Sequence, residues 1–155
     1  MAEHPVEIVR RFNEAYDGDD IIPTLRGLLD RHGDDPAADE ILAIWAEDPS
    51  WRHAHPEIEI DTSGLGVAGR PLQGPKDIWS WWHDWTAVWE TYITHVVEYR
   101  ELGDSVMTVS DIDATGPDGI PVRMRVFIAW TVRDDKVASS RAFVTEAEAI
   151  AATSE

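Results

Sequence analysis

The chain of 155 residues contains no cysteine, which excludes disulfides, thiolate metal sites and cysteine nucleophiles. It also has no apolar run that approaches the roughly 18 residues needed to cross a bilayer as a helix. The first residues, MAEHPVEIVRRF, do not combine a basic segment with an apolar one as secretion signals do. We therefore expect a cytoplasmic protein with no membrane partner.

Positive charge is scarce as well. Thirteen basic residues stand against 30 acidic ones, which gives a formal net charge of −17. Such a charge repels phosphate backbones and anionic lipid surfaces, so nucleic acid is not expected as a partner. Because no glycine-rich phosphate loop follows a strand, nucleotide binding is unsupported, and we expect no organic cofactor. The acidic excess is most simply a solubilising surface.

The composition is that of a folded domain. Hydrophobic residues make up 43% of the chain, which is too many for a disordered protein. The length suits one domain with a substantial core, and no internal repeat, linker or low-complexity segment divides it. We therefore expect a single domain over residues 1–155.

Residues 122–132 carry the clearest secondary-structure pattern. Every even position is apolar, whereas the odd positions include Arg123 and Arg125. Alternation with a period of two predicts a strand with one buried face. The sequence RDDK at residues 133–136 predicts a hairpin turn into a second strand. Further strands are predicted over residues 57–61, 92–102 and 105–114.

Helices are predicted in the first part of the chain, before the late strands and at the end. Residues 5–16 place apolar side chains at steps of three and four, which predicts an amphipathic helix. Shorter helices are predicted over residues 21–31 and after Pro36. Residues 75–90 form the strongest helical pattern, and a short helix with an acidic first turn ends the chain.

The helix predicted over residues 75–90 holds five of the eight tryptophans. Aromatic side chains can plug a wide, curled sheet, and they also make good walls for flat organic ligands. We assign Trp85 and Trp89 to the core and Trp82 to a wall that contacts a ligand.

The order of elements indicates the fold class. Helices come first, followed by one strand, the tryptophan-rich helix and four antiparallel strands, and such segregation is typical of α+β proteins. A sheet of this length must curl and be covered by the helices. The expected fold is an α+β cone, with N-terminal helices packed on a strongly curved, mostly antiparallel sheet and an open mouth.

Three segments carry a resemblance to a known family: the opening IVRRFNEAYDGDD, the loop and helix GRPLQGPKDIWSWW, and the ending AWTVRDDKVASSRAF followed by EAEAIAA. Together they resemble the SnoaL-like branch of the nuclear-transport-factor-2-like superfamily over essentially the whole chain. That family includes ketosteroid isomerases, limonene epoxide hydrolases, polyketide cyclases and many proteins that bind ligands or other proteins. The resemblance implies a cone-shaped fold with any active site inside the cone.

The resemblance implies one acid of the ketosteroid isomerase site but not its oxyanion hole. Those isomerases place a general-base aspartate just after the first strand, where this chain has Asp61. Their oxyanion-binding tyrosine and neutral aspartate match Phe12 and Ile128. Isomerisation of a steroid by that route is therefore not expected.

The epoxide hydrolase set is also incomplete. Limonene epoxide hydrolases use an Asp–Arg–Asp set on the late strands, and Asp111 keeps the first acid. The arginine position is Val109 and the second acid position is Ala142. The resemblance leaves Asp61 and Asp111 as two acids at cavity-facing positions.

Asp61 and Asp111 are the candidate catalytic acids. Two carboxylates facing an apolar cavity would raise each other's pKa, through desolvation and like charge, towards the range of a general base. His55 or His53, just before the first strand, could assist as an acid. Asp61 could instead belong to a turn with residues 62–64, and Asp111 could face outwards if the strand alternation is shifted by one residue.

His53 and His55 also have the spacing that places two imidazoles on one side of an extended segment. No third ligand lies nearby in the sequence, so we expect no metal site.

The expected ligand is a hydrophobic small molecule inside the cone. The cavity-facing positions of the last strand are expected to be the small residues Ala138, Ser140 and Ala142, which leave space for a ligand or for tryptophan rings. The candidate ligand-binding residues are Trp51, His53, Trp82, Met124, Ile128 and Trp130.

Two functions fit this pattern. One is a cofactor-independent isomerase, cyclase or hydrolase that uses aspartate and histidine acid–base chemistry. The other is a non-catalytic module that binds a ligand or mainly dimerises. An open cavity lined by both acids favours the enzyme, and a cavity filled by tryptophan rings favours the structural module.

The outer face of the sheet is the expected dimer interface. Mixed arginine and aromatic composition is typical of interfaces, and members of the resembled family often dimerise through this face. We therefore expect a homodimer. The residues predicted at the interface are Arg123, Arg125, Phe127, Ala129, Thr131, Arg141 and Phe143.

Overall fold

The computed structural model describes residues 4–66 and 70–153. Its α-helices are α1 (Pro5–Glu14), α2 (Ile22–His32), α3 (Ala38–Glu47), α4 (Gly74–Val88) and α5 (Glu146–Thr153), and a short 3-10 turn spans Trp51–His53. Its strands are β1 (Ala54–Gly64), β2 (Leu72–Gln73), β3 (Thr91–Leu102), β4 (Ser105–Thr115), β5 (Pro121–Arg133) and β6 (Lys136–Phe143). The predicted helices and strands are confirmed with shifted ends, and the two-residue strand β2 lies in a segment for which no strand was predicted.

The six strands form one sheet in the order β2-β1-β6-β5-β4-β3. Strand β1 runs parallel to β6, and the other neighbours are antiparallel. The sheet is open and curled, with α1 to α4 on its inner face, which is the cone-shaped α+β fold expected from the order of elements. In the described residues, no helix is long and apolar enough to cross a membrane.

The hydrophobic core lies between the inner face of the sheet and the helices. It contains apolar side chains from α1 to α4, from β1 and from the late strands, including Ile8, Leu25, Ile41, Ile58 and Trp130. The even positions of β5 face inwards, so the alternation over residues 122–132 is the property that fixes which face of the sheet the helices cover.

The hairpin between β5 and β6 is closed by two non-glycine residues in the left-handed region, Asp134 at φ 56° and Asp135 at φ 59°. Arg133 pairs with Lys136 across the turn. Two successive positive φ angles match the right-handed twist of the flanking strands, and aspartate tolerates this conformation better than most residues. The hairpin predicted at residues 133–136 is confirmed.

Helix α5 packs on the outer face of the sheet. Ala149 forms a cluster with Met107 and Val109, against which Phe127 and Phe143 pack. The chain's own C-terminal helix therefore covers two of the aromatic residues predicted at a dimer interface. The arginines at the uncovered end are ion-paired within the chain, Arg123 with Asp113 and Arg125 with Asp111. The homodimer stays a prediction.

Candidate functional site

A cavity of about 230 Å³ lies between the inner face of the sheet and helices α1, α2 and α4. Its lining is mostly apolar and rich in aromatic side chains. Five of the eight tryptophans in the chain line it, namely Trp51, Trp81, Trp82, Trp85 and Trp130. Phe12, Tyr16 and Tyr92 bring the aromatic residues of the lining to eight. The tryptophans therefore surround an open space and do not fill it.

The tryptophans of the cavity fall into two groups. Trp82 is only 2% exposed, and its ring centroid lies 5.1 Å from that of Trp51 and 6.5 Å from that of Trp45. Trp85 is half-buried and stacks on Trp81 at 4.7 Å, and the ring of Tyr92 lies 4.2 Å from that of Trp85 in a tilted arrangement. The first group is a layer around the buried residues Trp45 and Trp82, with Trp51 partly exposed, and the second is a half-exposed layer of the cavity wall. Trp85 packs against the core, as predicted, and it also lines the cavity, as Trp82 does.

Trp51 is held in the wall by a hydrogen-bonded link to α1. The Tyr16 hydroxyl donates to Asp48 Oδ2 at 2.6 Å, and Asp48 Oδ1 accepts from the backbone N–H groups of Ser50 and Trp51 at 2.9 Å each. The Ser50 hydroxyl in turn donates to the Phe12 carbonyl at 2.6 Å. One carboxylate thus fixes the end of α1 and the backbone of a cavity tryptophan together.

Tyr16 remains a neutral phenol at physiological pH. Burial, followed by the hydrogen bond to Asp48 and the negative charge of that residue, raises the pKa of Tyr16. Sequence reasoning missed Tyr16 as a site residue. The signal was present, because Tyr16 lies four residues after Phe12 on the same apolar stripe of the first helix, and residues at this spacing share one helix face.

Asp61 is among the residues that line the cavity, but its carboxylate is held in a turn. Asp61 Oδ1 accepts from the Ser63 N–H at 2.9 Å. The hydrogen bonds from Ser63, and more weakly the charge of Arg141, lower the pKa of Asp61. The predicted increase in the pKa is therefore wrong, because hydrogen bonding to the charged form outweighs desolvation at this half-buried position.

Asp111 does not face the cavity. It lies on the outer face of the sheet, where Arg125 donates two hydrogen bonds to its carboxylate at 2.7 and 3.0 Å. This ion pair lowers the pKa of Asp111. The neighbouring Ile112 lines the cavity instead. The predicted position of Asp111 is wrong by one residue of strand alternation, which moves a side chain to the opposite face.

His53 and His55 lie outside the cavity lining. His55 Nδ1 accepts from the Glu57 N–H at 3.0 Å, and His55 Nε2 lies 3.2 Å from Asp134 Oδ2 at the β5–β6 turn. Arg52 Nε donates to His53 Nε2 at 3.3 Å. The structure does not bring either imidazole to Asp61. Over residues 4–66 and 70–153, no group of three or more potential ligands is placed to hold a metal ion.

The late strands contribute most of the remaining predicted wall. Ile128 and Trp130 line the cavity, and the indole N–H of Trp130 donates to the Thr108 hydroxyl at 2.9 Å. Met124 is not among the lining residues and packs against Ile112 and Val126, which do line the cavity.

Strand β6 presents small side chains to the cavity, as predicted for Ser140 and Ala142. Ala138 is not among the lining residues, and the neighbouring Val137 is buried in the core. The pairing of β5 with β6 shifts register between Thr131 and Val132. Such a bulge reverses the alternation beyond it, which explains the error at Ala138.

Comparisons with known proteins agree with this architecture. The family model described as SnoaL-like domain matches residues 9–140. No curated protein matches the chain at a significant level.

Many solved structures share the fold. A protein of unknown function from Burkholderia pseudomallei, described as NTF2-like, is 14% identical with a TM-score of 0.62, and the match covers 96% of each chain. TerC, co-crystallised with polyporic acid, is 19% identical with a TM-score of 0.57 over 94% of this chain and 95% of its own. A protein from Catenulispora acidiphila with a ketosteroid isomerase-like fold, in complex with trimethylamine, is 13% identical with a TM-score of 0.54 over 76% of this chain and 92% of its own. At these identities, the likeness shows the fold alone.

Proposed function

The chain belongs to the SnoaL-like domain family, and on that premise we propose that it binds a small, flat, hydrophobic compound inside the cone without an organic cofactor. The observation that carries this proposal is the aromatic cavity. Eight aromatic side chains surround a space of about 230 Å³. Ligand sites in proteins are concave and mostly apolar, with a few polar groups that fix orientation.

The size and chemistry of the cavity limit the ligand. Its volume lies below the usual range for drug-sized compounds, roughly 300 to 1,000 Å³, which favours a molecule of one or two rings. Small inward-facing residues, Ser140 and Ala142, leave the space open beside Ile128. Two structural relatives were crystallised with small organic molecules, trimethylamine and polyporic acid, which supports a ligand of this kind for the present fold.

Coumarin, a neutral compound of two fused rings, tests the proposal. We expect saturable, one-to-one binding by isothermal titration calorimetry, together with quenching of tryptophan fluorescence, because five of the eight tryptophans line the cavity. A series of one-ring to four-ring neutral compounds should show an optimum at one or two rings. Absence of both heat and quenching across the series would overturn the proposal.

A second candidate function is proton abstraction from the bound compound by Asp61. The observation that favours it is the position of the Asp61 carboxylate among the cavity-lining residues. Its lowered pKa keeps it ionised at neutral pH but weakens it as a base, so a modest rate is expected. The histidine proposed as an assisting acid is not in the cavity, so Asp61 would act alone as a base. An apolar surrounding strengthens a carboxylate base once its water is displaced.

Nitrobenzisoxazole, a flat probe of base catalysis, tests this second candidate. Asp61 would take the proton from the ring carbon while the ring N–O bond breaks, which yields a nitrile and a phenolate. We expect Asp61→Asn to reduce the rate to that of buffer, because asparagine can still accept the hydrogen bond from Ser63 but cannot take a proton. Asp84→Asn, at an exposed position of α4, is the matched control. A rate that survives Asp61→Asn would exclude this role.

A further inference from the structure

All charged side chains in the cavity lining are acidic. Among the described residues that line it, three are aspartates (Asp17, Asp19 and Asp61) and none is lysine, arginine or histidine. Asp17 and Asp19 lie in the turn between α1 and α2, and Asp61 lies near the C-terminal end of β1. An anionic ligand would therefore enter a cavity with no positive group to compensate its charge, at a high cost in desolvation.

The aromatic rings of the lining, like its aspartates, favour a positively charged ligand. The face of an aromatic ring carries partial negative charge, so a cavity with eight aromatic side chains attracts cations. The half-exposed layer of Trp81, Trp85 and Tyr92 is tightly packed, with ring centroids 4.7 and 4.2 Å apart. Tyr16 adds to this effect, because its hydroxyl donates to the Asp48 carboxylate at 2.6 Å and a strong hydrogen bond to an anion increases the electron density of the phenol.

Three basic side chains lie on the elements around the cavity but do not line it. Two of them, Arg141 and His95, act on the lining residues Asp61 and Asp17 from outside. Arg141 follows Ser140 on β6 and has its guanidinium over the ring of Phe143, at 5.6 Å from the centroid. Arg26 donates to the backbone carbonyls of Thr86 and Trp89. His95 is paired with Asp17 at 3.0 Å on β3. None of the three is among the lining residues, so none fills the role of the cation inside the cavity.

We propose that the ligand of this cavity is an organic cation, a quaternary ammonium or protonated tertiary amine on an apolar skeleton. The inference rests on the proposed function, because it names the class of compound that the same cavity takes. A quaternary ammonium is large, weakly hydrated and unable to donate a hydrogen bond, so aromatic faces can replace its hydration shell. The net charge of −17 raises the local concentration of cations around the protein and speeds their association.

A pair of compounds of equal shape separates charge from hydrophobicity. Phenyltrimethylammonium and tert-butylbenzene differ only in the central atom of the branched group, which is N⁺ in one and carbon in the other. At low salt, we expect the chain to bind phenyltrimethylammonium at least ~10-fold more tightly than tert-butylbenzene. A factor of ten corresponds to about 1.4 kcal/mol, and several desolvated cation–π contacts together contribute more than that. The preference should decrease as salt is added, since Asp17 and Asp61 are partly exposed and Asp19 is exposed.

Substitutions at Trp85 and Trp89 on α4 test whether the preference for the cation arises in the cavity. Trp85→Leu is expected to reduce the affinity for phenyltrimethylammonium by about 5-fold or more while leaving tert-butylbenzene bound, because leucine keeps the apolar contact but removes the ring. Trp85→Phe keeps a ring and should keep most of the preference. Trp89→Leu, one helical turn away and outside the lining, is the matched control and should leave both affinities unchanged.

The outcomes distinguish the two proposals. Equal or tighter binding of tert-butylbenzene overturns the inference and leaves the proposed function intact. Binding of coumarin alone, with neither compound of the pair, likewise overturns the inference only. If coumarin and both compounds of the pair fail to bind, the proposed function fails and the inference fails with it.

Discussion

Replacing Trp82 with alanine is expected to lower the free energy of unfolding by about 4 kcal/mol. Trp82 is 2% exposed and its ring contacts Trp45, Trp51 and Trp79, whose centroids lie 6.5, 5.1 and 5.7 Å away. Truncation removes these contacts and merges the vacated volume with the cavity. Because the rings around it belong to α3, the 3-10 turn and α4, they cannot collapse into the space together.

Urea unfolding monitored by circular dichroism measures this effect. Trp89→Ala is the appropriate control, because Trp89 is half-buried at the end of α4 and its ring contact is with Tyr92. We expect a loss of about 2 kcal/mol or less for the control. A loss for Trp82→Ala no larger than that of the control would show that Trp82 is a replaceable wall residue and not a support of the core.

Substituting Ala142 with phenylalanine is expected to abolish ligand binding, which corresponds to a loss of at least ~100-fold in affinity, or about 2.7 kcal/mol. Ala142 is 8% exposed, lines the cavity and pairs with Ile128 on β5. A phenyl ring at this position would enter the space of about 230 Å³ that we assign to the ligand. Because that space is open, we expect the substitution to cost less than the roughly 1 to 3 kcal/mol typical of overpacking.

Titration of coumarin and phenyltrimethylammonium into the purified variant measures the loss. Ala87→Phe, at an exposed position of α4, makes the same change away from the cavity and should retain wild-type affinity. If Ala142→Phe fails to fold, the smaller substitution Ala142→Leu provides the test. It should weaken binding in proportion to the volume that leucine adds. Unchanged affinity in folded Ala142 variants would place the ligand outside the cone.

The sequence predicts those helices and strands in which buried apolar side chains recur at regular spacing. The alternation over residues 122–132 exists because each inward side chain of β5 must be apolar, and the tryptophan-rich helix exists because it covers the same inner face. Such patterns extend over many residues, so a single ambiguous position does not change their interpretation.

The parts of the site that the sequence does not predict depend on single residues. Asp111 requires knowledge of the exact phase of β4, and one residue of error moves it from the cavity to Arg125 on the opposite face. Ala138 is displaced by a local change in register. The pairing of Tyr16 with Asp48 joins residues 32 apart in the chain, and contacts of this range follow from the tertiary packing, which no local pattern encodes.

In the cavity wall, the residues that support the fold differ from those that can change ligand specificity. The buried layer around Trp82 tolerates little change, whereas the half-exposed layer of Trp81, Trp85 and Tyr92 can vary at a smaller cost in stability. A lineage could therefore change the compound it recognises by substitutions in the outer layer while its scaffold persists. Directed evolution of the proposed ligand preference should therefore begin at these three positions.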